Sequence, residues 1–253
     1  MLSHCKATAF RRCIKRGLWT GQRTARGVTA DAGIPVCVSG RSLRHVSRAV
    51  DHTVPPAVAE EELLRAQVYT LLARLLSRAP DADLLSALAD VAGEGGEFGA
   101  ALDRLAQAAR GTDPAAVEEE FTTLFIGVGG SERTPYGSYY LTGFLNEKPL
   151  AELRVDMARL GIARADGVRE PEDHIAALCE MMAGLIGGEF APEDGGTVDL
   201  EAQRAFFDRH VGSWAGRFFA DLETSPSACF YRAVGAVGRS FLAVEARAFD
   251  LAA

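Results

Sequence analysis

From Ala57 onward the apolar residues of this chain recur at steps of three and four, and strand-like alternation is almost absent. That period commits the chain to helices, because only a helix brings residues so spaced onto one face. In EEELLRAQVYTLLARLLSRAP, Leu64, Val68, Leu71 and Leu75 are spaced by four, three and four. Pro80 ends the segment, since it lacks the donor a continuing helix needs. DPAAVEEEFTTLF opens on Asp113 as N-cap and Pro114 at the first helical position. Val117, Phe121, Leu124 and Phe125 then share a face. Phe207, Val211, Trp214, Phe218 and Leu222 line up over 199–222, as do Phe230, Val234, Val237, Phe241, Val244, Ala248 and Leu251 in the last segment. Glycine-rich breaks at 93–99, 127–135 and 187–196 separate the helices. The pattern predicts about seven helices in one compact all-α domain over 57–253, with no internal repeat.

Residues 1–56 are a different material. They hold ten Lys/Arg against two Asp, a net +8, while the remainder holds 17 Lys/Arg against 32 Asp/Glu, a net −15. A transit peptide, a disordered basic arm and translated sequence upstream of the true start all fit such a head, which is expected to be dispensable. Its RRCIK (Arg11–Lys15) resembles a twin-arginine export signal, but RGLWTGQRTARG follows where such a signal needs an apolar stretch. The acidic body repels nucleic-acid backbones and attracts a basic partner. No run of about 18 uncharged apolar residues is present to span a membrane. Cys5, Cys13 and Cys37 lie in the head and Cys179 and Cys229 in the body, with no CxxC; this suits a reducing compartment.

The most unusual stretch is REPEDHIAALCEMMAGL (Arg169–Leu185). Pro171 suits the first turn of a helix, where Glu170, Glu172 and Asp173 would offset the positive end of its dipole. His174 heads the apolar face formed with Ile175, Leu178, Met181, Met182 and Leu185. Taken alone, these residues read as a satisfied core histidine beside an acidic cap. Catalytic and metal readings fail on spacing. No second Glu-x-x-His answers the first acid and histidine. His210 is the only other body histidine, too few for zinc. There is neither a G-x-S-x-G elbow nor a Gly-Lys-Ser/Thr phosphate loop.

Two motifs in order carry more information than either alone. EEEFTTLFIGVGGSERTPYGSYYL (Glu118–Leu141) joins an acidic-aromatic helix ending in Leu-Phe-x-Gly to a Pro-Tyr-x-Ser-x-Tyr run, and REPEDHIAALCEMM follows. The pair resembles the TorD/DmsD/NarJ family of redox-enzyme maturation chaperones, most closely its DmsD-like branch, over about residues 60–250. The resemblance implies an all-helical, cytoplasmic, non-catalytic protein. It implies binding of the twin-arginine signal peptide on the catalytic subunit of a dimethyl sulfoxide reductase-type molybdoenzyme precursor, held until cofactor and subunits are in place. A monomer is implied, with a dimer compatible. No tightly bound cofactor is implied, although transient contact with molybdopterin guanine dinucleotide or GTP is compatible with it. The implied peptide-binding residues are Phe121, Leu124, Phe125, Pro135, Tyr136, Ser138, Tyr140, Glu170, Pro171, Asp173 and His174. Of these, Phe125 and Tyr136 are expected to line a cleft. Two departures bear on the client's identity: VGGSERT has no tryptophan, and HVGSW (His210–Trp214) lacks a proline before its tryptophan. A weak nucleotide-hydrolysing assembly factor and a subunit docking on a folded partner are the competing readings.

Overall fold

The computed structural model describes residues 60–127, 130–164, 168–190 and 198–252; the expectations about the basic head lie outside them. Ten α-helices and two π-helical turns make up the described residues, with no strand beyond one isolated bridge. The helices are α1 (Glu60–Ser77), α2 (Ala82–Ala89), α3 (Gly96–Ala109), α4 (Pro114–Phe121), α5 (Gly137–Thr142), α6 (Lys148–Arg159), α7 (Ile175–Gly187), α8 (Leu200–Phe206), α9 (Ala215–Glu223) and α10 (Phe230–Leu251). The π turns are π1 (Thr122–Ile126), continuing α4, and π2 (Phe207–Gly212), continuing α8.

Side-chain caps start several helices, Asp113 among them as expected. Asp113 accepts from the Ala115 N–H with Pro114 in the first turn, and Asp81 and Asp199 cap α2 and α8 from Leu84 and Ala202. Helix α1 ends before Pro80. Its buried surface is wider than the four-residue stripe, because Tyr69, Leu72 and Leu76 are buried as well. Two layers explain this. Helix α7 packs along α1, and α10 packs against both α9 and α3. Trp214, Tyr69, Tyr231, Phe207, Phe218 and Phe219 are the largest side chains sealed between them. Each contributes on the order of 2–3 kcal/mol by leaving water.

Four expectations need correction. The stripe over 199–222 is not one helix: it breaks into α8, π2 and α9, with Trp214 at the start of α9, although all five of its residues are buried. The stripe of α10 holds only to Phe241. Val244, Ala248 and Leu251 face outward, and Glu245 and Phe249 take the inner positions. Arg65 is the reason. Its guanidinium forks onto Glu245, Nε and Nη2 each donating over 2.8 Å to one carboxylate oxygen, and lies 5.2 Å from the Phe249 ring centre. A planar bidentate pair turns a charged residue inward where the apolar pattern alone would not. The third and fourth, on the acidic stretch and on Phe125, belong to the site.

Candidate functional site

The two motifs meet through their backbones. Tyr136 and His174 form an antiparallel bridge. Gly137 N–H donates to the Asp173 carbonyl and Ile175 N–H to the Pro135 carbonyl, each over 2.9 Å. The first N–H of α5 is thus satisfied by the residue before α7's cap, and the first N–H of α7 by the residue before α5's cap. The Asp173 carboxylate completes the arrangement: its Oδ2 accepts from Ser138 N–H at 2.8 Å. Tyr136 itself offers α5 no side-chain cap. Two helix N-termini therefore converge on one point, and the buried Asp173 carboxylate offsets their positive ends.

This corrects the sequence reading of Glu170–Asp173. Helix α7 begins at Ile175, so Pro171 and the three carboxylates precede it in a turn closed by His174 N–H on the Pro171 carbonyl. The backbone at His174 is committed to pairing with Tyr136 and stays extended, at φ −64° and ψ 135°. The cap is His174, whose Nδ1 accepts from Ala176 N–H at 3.1 Å. Burial, opposed by Glu170 and Asp173, holds the His174 pKa below its ordinary value and keeps that nitrogen free to accept. Glu172 is buried against Arg154 and Arg164, whose charges outweigh burial and lower its pKa.

On the outer side Tyr136 is half-buried. Its hydroxyl donates to the exposed Glu170 carboxylate, and its ring stands edge-on to His174 with centres 5.1 Å apart. Burial and the bond to Glu170 push the tyrosine pKa well up, so it remains a donor. On the inner side, a Cβ on Gly137 would stand 3.0 Å from the Trp214 indole nitrogen, so this turn accepts only glycine without displacing the indole. Trp214 donates to the His210 carbonyl at 2.7 Å. His210 Nε2 sits 2.8 Å from Asp156, which also meets Arg209. A small cleft of about 60 Å³ lies here between Leu141, Glu152, Asp173, Leu178, His210 and Trp214.

The remaining named residues divide. Leu124 and Phe121 are buried in the core. Phe125, expected to line a cleft, instead packs its half-buried ring on Phe121, Tyr231 and Phe218, with centres 5.1, 5.4 and 6.5 Å apart. The π1 turn rotates it inward and presents Ile126 instead, 63% exposed. Gly127 ends that turn at φ +45°, where a Cβ would strike the Gly130 carbonyl. Pro135 and Ser138 are buried. Tyr140 is half-buried, donating to Asp221 at 3.0 Å with its ring on Trp214. The structure adds an exposed apolar run that sequence reasoning passed over: Tyr139, Leu141, Phe144 (70% exposed) and Leu145, on α5 and the turn after it. Phe-Leu directly after Gly143 was the available signal. Glu147 and Glu152 follow within two turns. Among the described residues no group of three or more His, Cys, Asp or Glu is arranged to hold a metal ion. No helix among them is long and apolar enough to cross a membrane.

Comparison with known proteins gives consistent results. The family model described as nitrate reductase delta subunit matches residues 93–220. The chain is 28% identical over 201 residues to the chaperone protein TorD of Aliivibrio fischeri, covering 72% of this chain and 93% of that one. It is 31% identical over 118 residues to TorD of Photobacterium profundum and 25% identical over 130 residues to TorD of Vibrio atlanticus. Those matches cover 55% and 60% of the relatives' own lengths.

Proposed function

The chain belongs to the nitrate reductase delta subunit family, and on that premise we propose that it is a redox-enzyme maturation chaperone for the twin-arginine signal peptide of a molybdopterin-containing oxidoreductase precursor. In this reading it acts in the cytoplasm, before export, and carries out no catalysis. Placement on the DmsD-like branch rests on the motifs alone, since the relatives above bear the TorD name.

One observation carries the reading: the reciprocal capping of α5 and α7. It ties the start of α5, which leads into the exposed apolar run, to the turn that carries the exposed Glu170. A twin-arginine leader has a dicationic head and an apolar continuation, so its receptor needs those two chemistries side by side. Glu170 presents an exposed carboxylate at Tyr136, and Glu147 and Glu152 stand at the start of α6. Arginine suits such groups because its planar fork meets a carboxylate through two bonds. Tyr139, Leu141, Phe144 and Leu145 offer the apolar continuation a surface. The acidic body hastens the encounter.

The test is titration of the full chain with a labelled peptide carrying the arginine pair and its apolar stretch. Phe144→Ser should weaken binding about tenfold, the scale of an exposed aromatic anchor, and leave thermal unfolding unchanged. Replacing both peptide arginines by lysine should also weaken it. A peptide that binds equally well to Phe144→Ser, or does not bind at all, refutes the assignment.

A further inference from the structure

The charge division of the chain bears directly on this junction. The only paired arginines followed closely by apolar residues lie in the basic head: Arg11 and Arg12, then Ile14, Leu18 and Trp19. Ile14 and Leu18 are spaced by four, so a helix would bring them to a common face, with Trp19 following Leu18 directly. We infer that residues 10–19 (FRRCIKRGLW) occupy the signal-peptide site of their own chain and act as a tethered competitor that an incoming leader must displace. This inference rests on the signal-peptide reading above and adds a regulatory device to it.

Three observations support this occupant. Charge is the first: the head carries +8 and the rest of the chain −15, so the two attract. Chemistry is the second. The segment presents the two elements the junction offers to recognise, paired arginines for the exposed Glu170 and a short apolar stretch for Tyr139, Leu141, Phe144 and Leu145. Reach is the third. Residues 20–59 give 40 residues between the segment and α1. A connection of that length can span at most roughly 130–145 Å, well beyond the width of a domain of this size. It holds the segment at an effective concentration on the order of millimolar.

The same observations set the strength. RGLWTGQRTARG supplies only a few apolar residues where a complete leader carries a continuous run, so the segment binds more weakly than a client does. A site affinity on the order of 0.1 mM against a millimolar local concentration leaves about one site in ten free. The affinity seen by an external leader then falls about tenfold. A competitor of that strength excludes weak, non-cognate peptides and yields to a complete leader.

The experiment compares the full chain with its Arg11→Ala/Arg12→Ala variant, titrating both with a tryptophan-free leader peptide. The variant should bind about tenfold more tightly. The chain has two tryptophans, and Trp214 is buried, so quenching by acrylamide reports on Trp19. Quenching should rise when leader is added to the wild-type chain and should already be high in the variant. Equal leader affinity for the two chains, with Trp19 accessible throughout, overturns the tethered competitor and leaves the signal-peptide reading standing. Leader binding to neither chain overturns both. If the tenfold difference fades on dilution of the protein, the head acts on a second copy, and occupancy within one chain is overturned.

Discussion

Asp173→Ala separates the two roles available to the acidic motif. The Asp173 side chain is 3% exposed, and its Oδ2 receives the Ser138 N–H at 2.8 Å. Removing the carboxylate strands that N–H in the interior, and a buried bond to a charged acceptor contributes about 1.5–3 kcal/mol. The main-chain bond from Gly137 to the Asp173 carbonyl survives, so the loss does not spread to the whole bridge. Asp173→Ala should therefore cost about 2–4 kcal/mol. For a domain of roughly 150–250 residues this lowers Tm by about 4–16 °C. Asp173→Asn retains an acceptor for Ser138 and should cost about 1 kcal/mol. Calorimetric unfolding of the two variants and the wild type measures the difference. A Tm for Asp173→Ala within 1 °C of wild type refutes the claim that this carboxylate holds the start of α5. If Asp173→Asn loses peptide affinity at nearly wild-type stability, the carboxylate also meets the arginines.

Glu245→Ala should cost about 3–5 kcal/mol, because Arg65 keeps only Glu62 as a carboxylate partner and the buried Tyr69 hydroxyl loses its acceptor; replacing the pair together by Arg65→Met/Glu245→Leu should recover most of that, and failure to recover it shows that the pair does more than satisfy itself. Phe125→Ala should cost about 2–4 kcal/mol, because its ring packs on Phe121, Tyr231 and Phe218; an unchanged Tm returns Phe125 to the cleft. Stability should fall as pH drops from 7 to 5. Burial lowers the pKa of His174, and it lowers that of His210 against the opposing pull of Asp156. The unfolded chain then takes up those protons first, so their contribution is whole above the ordinary histidine value near 6.5 and is lost as pH falls below it toward the folded values. His174→Asn keeps a side-chain cap and should flatten the dependence of Tm on pH over this range; an unchanged slope shows that His174 is not its source.

Helix content, the Asp113–Pro114 start and the stop before Pro80 were legible because each depends on residues within a turn or two of one another. The acidic motif was legible as chemistry for the same reason. The partner of that motif was not legible. Residues 135–137 find 173–175 through main-chain N–H and C=O groups, which every residue carries and no sequence marks. Once that pairing forms, it fixes where α7 begins and moves the capping role from the carboxylates to His174. The π1 turn is equally silent in composition, yet it turns Phe125 inward and Ile126 outward. Arg65 overrides the stripe of α10 from 180 residues away in the chain. The sequence by itself determined the helices and the chemistry on offer, because both follow from periodicity and side-chain type. Tertiary structure decided which of those groups meet and which are buried, because that depends on hydrogen bonds and ion pairs closed between distant segments.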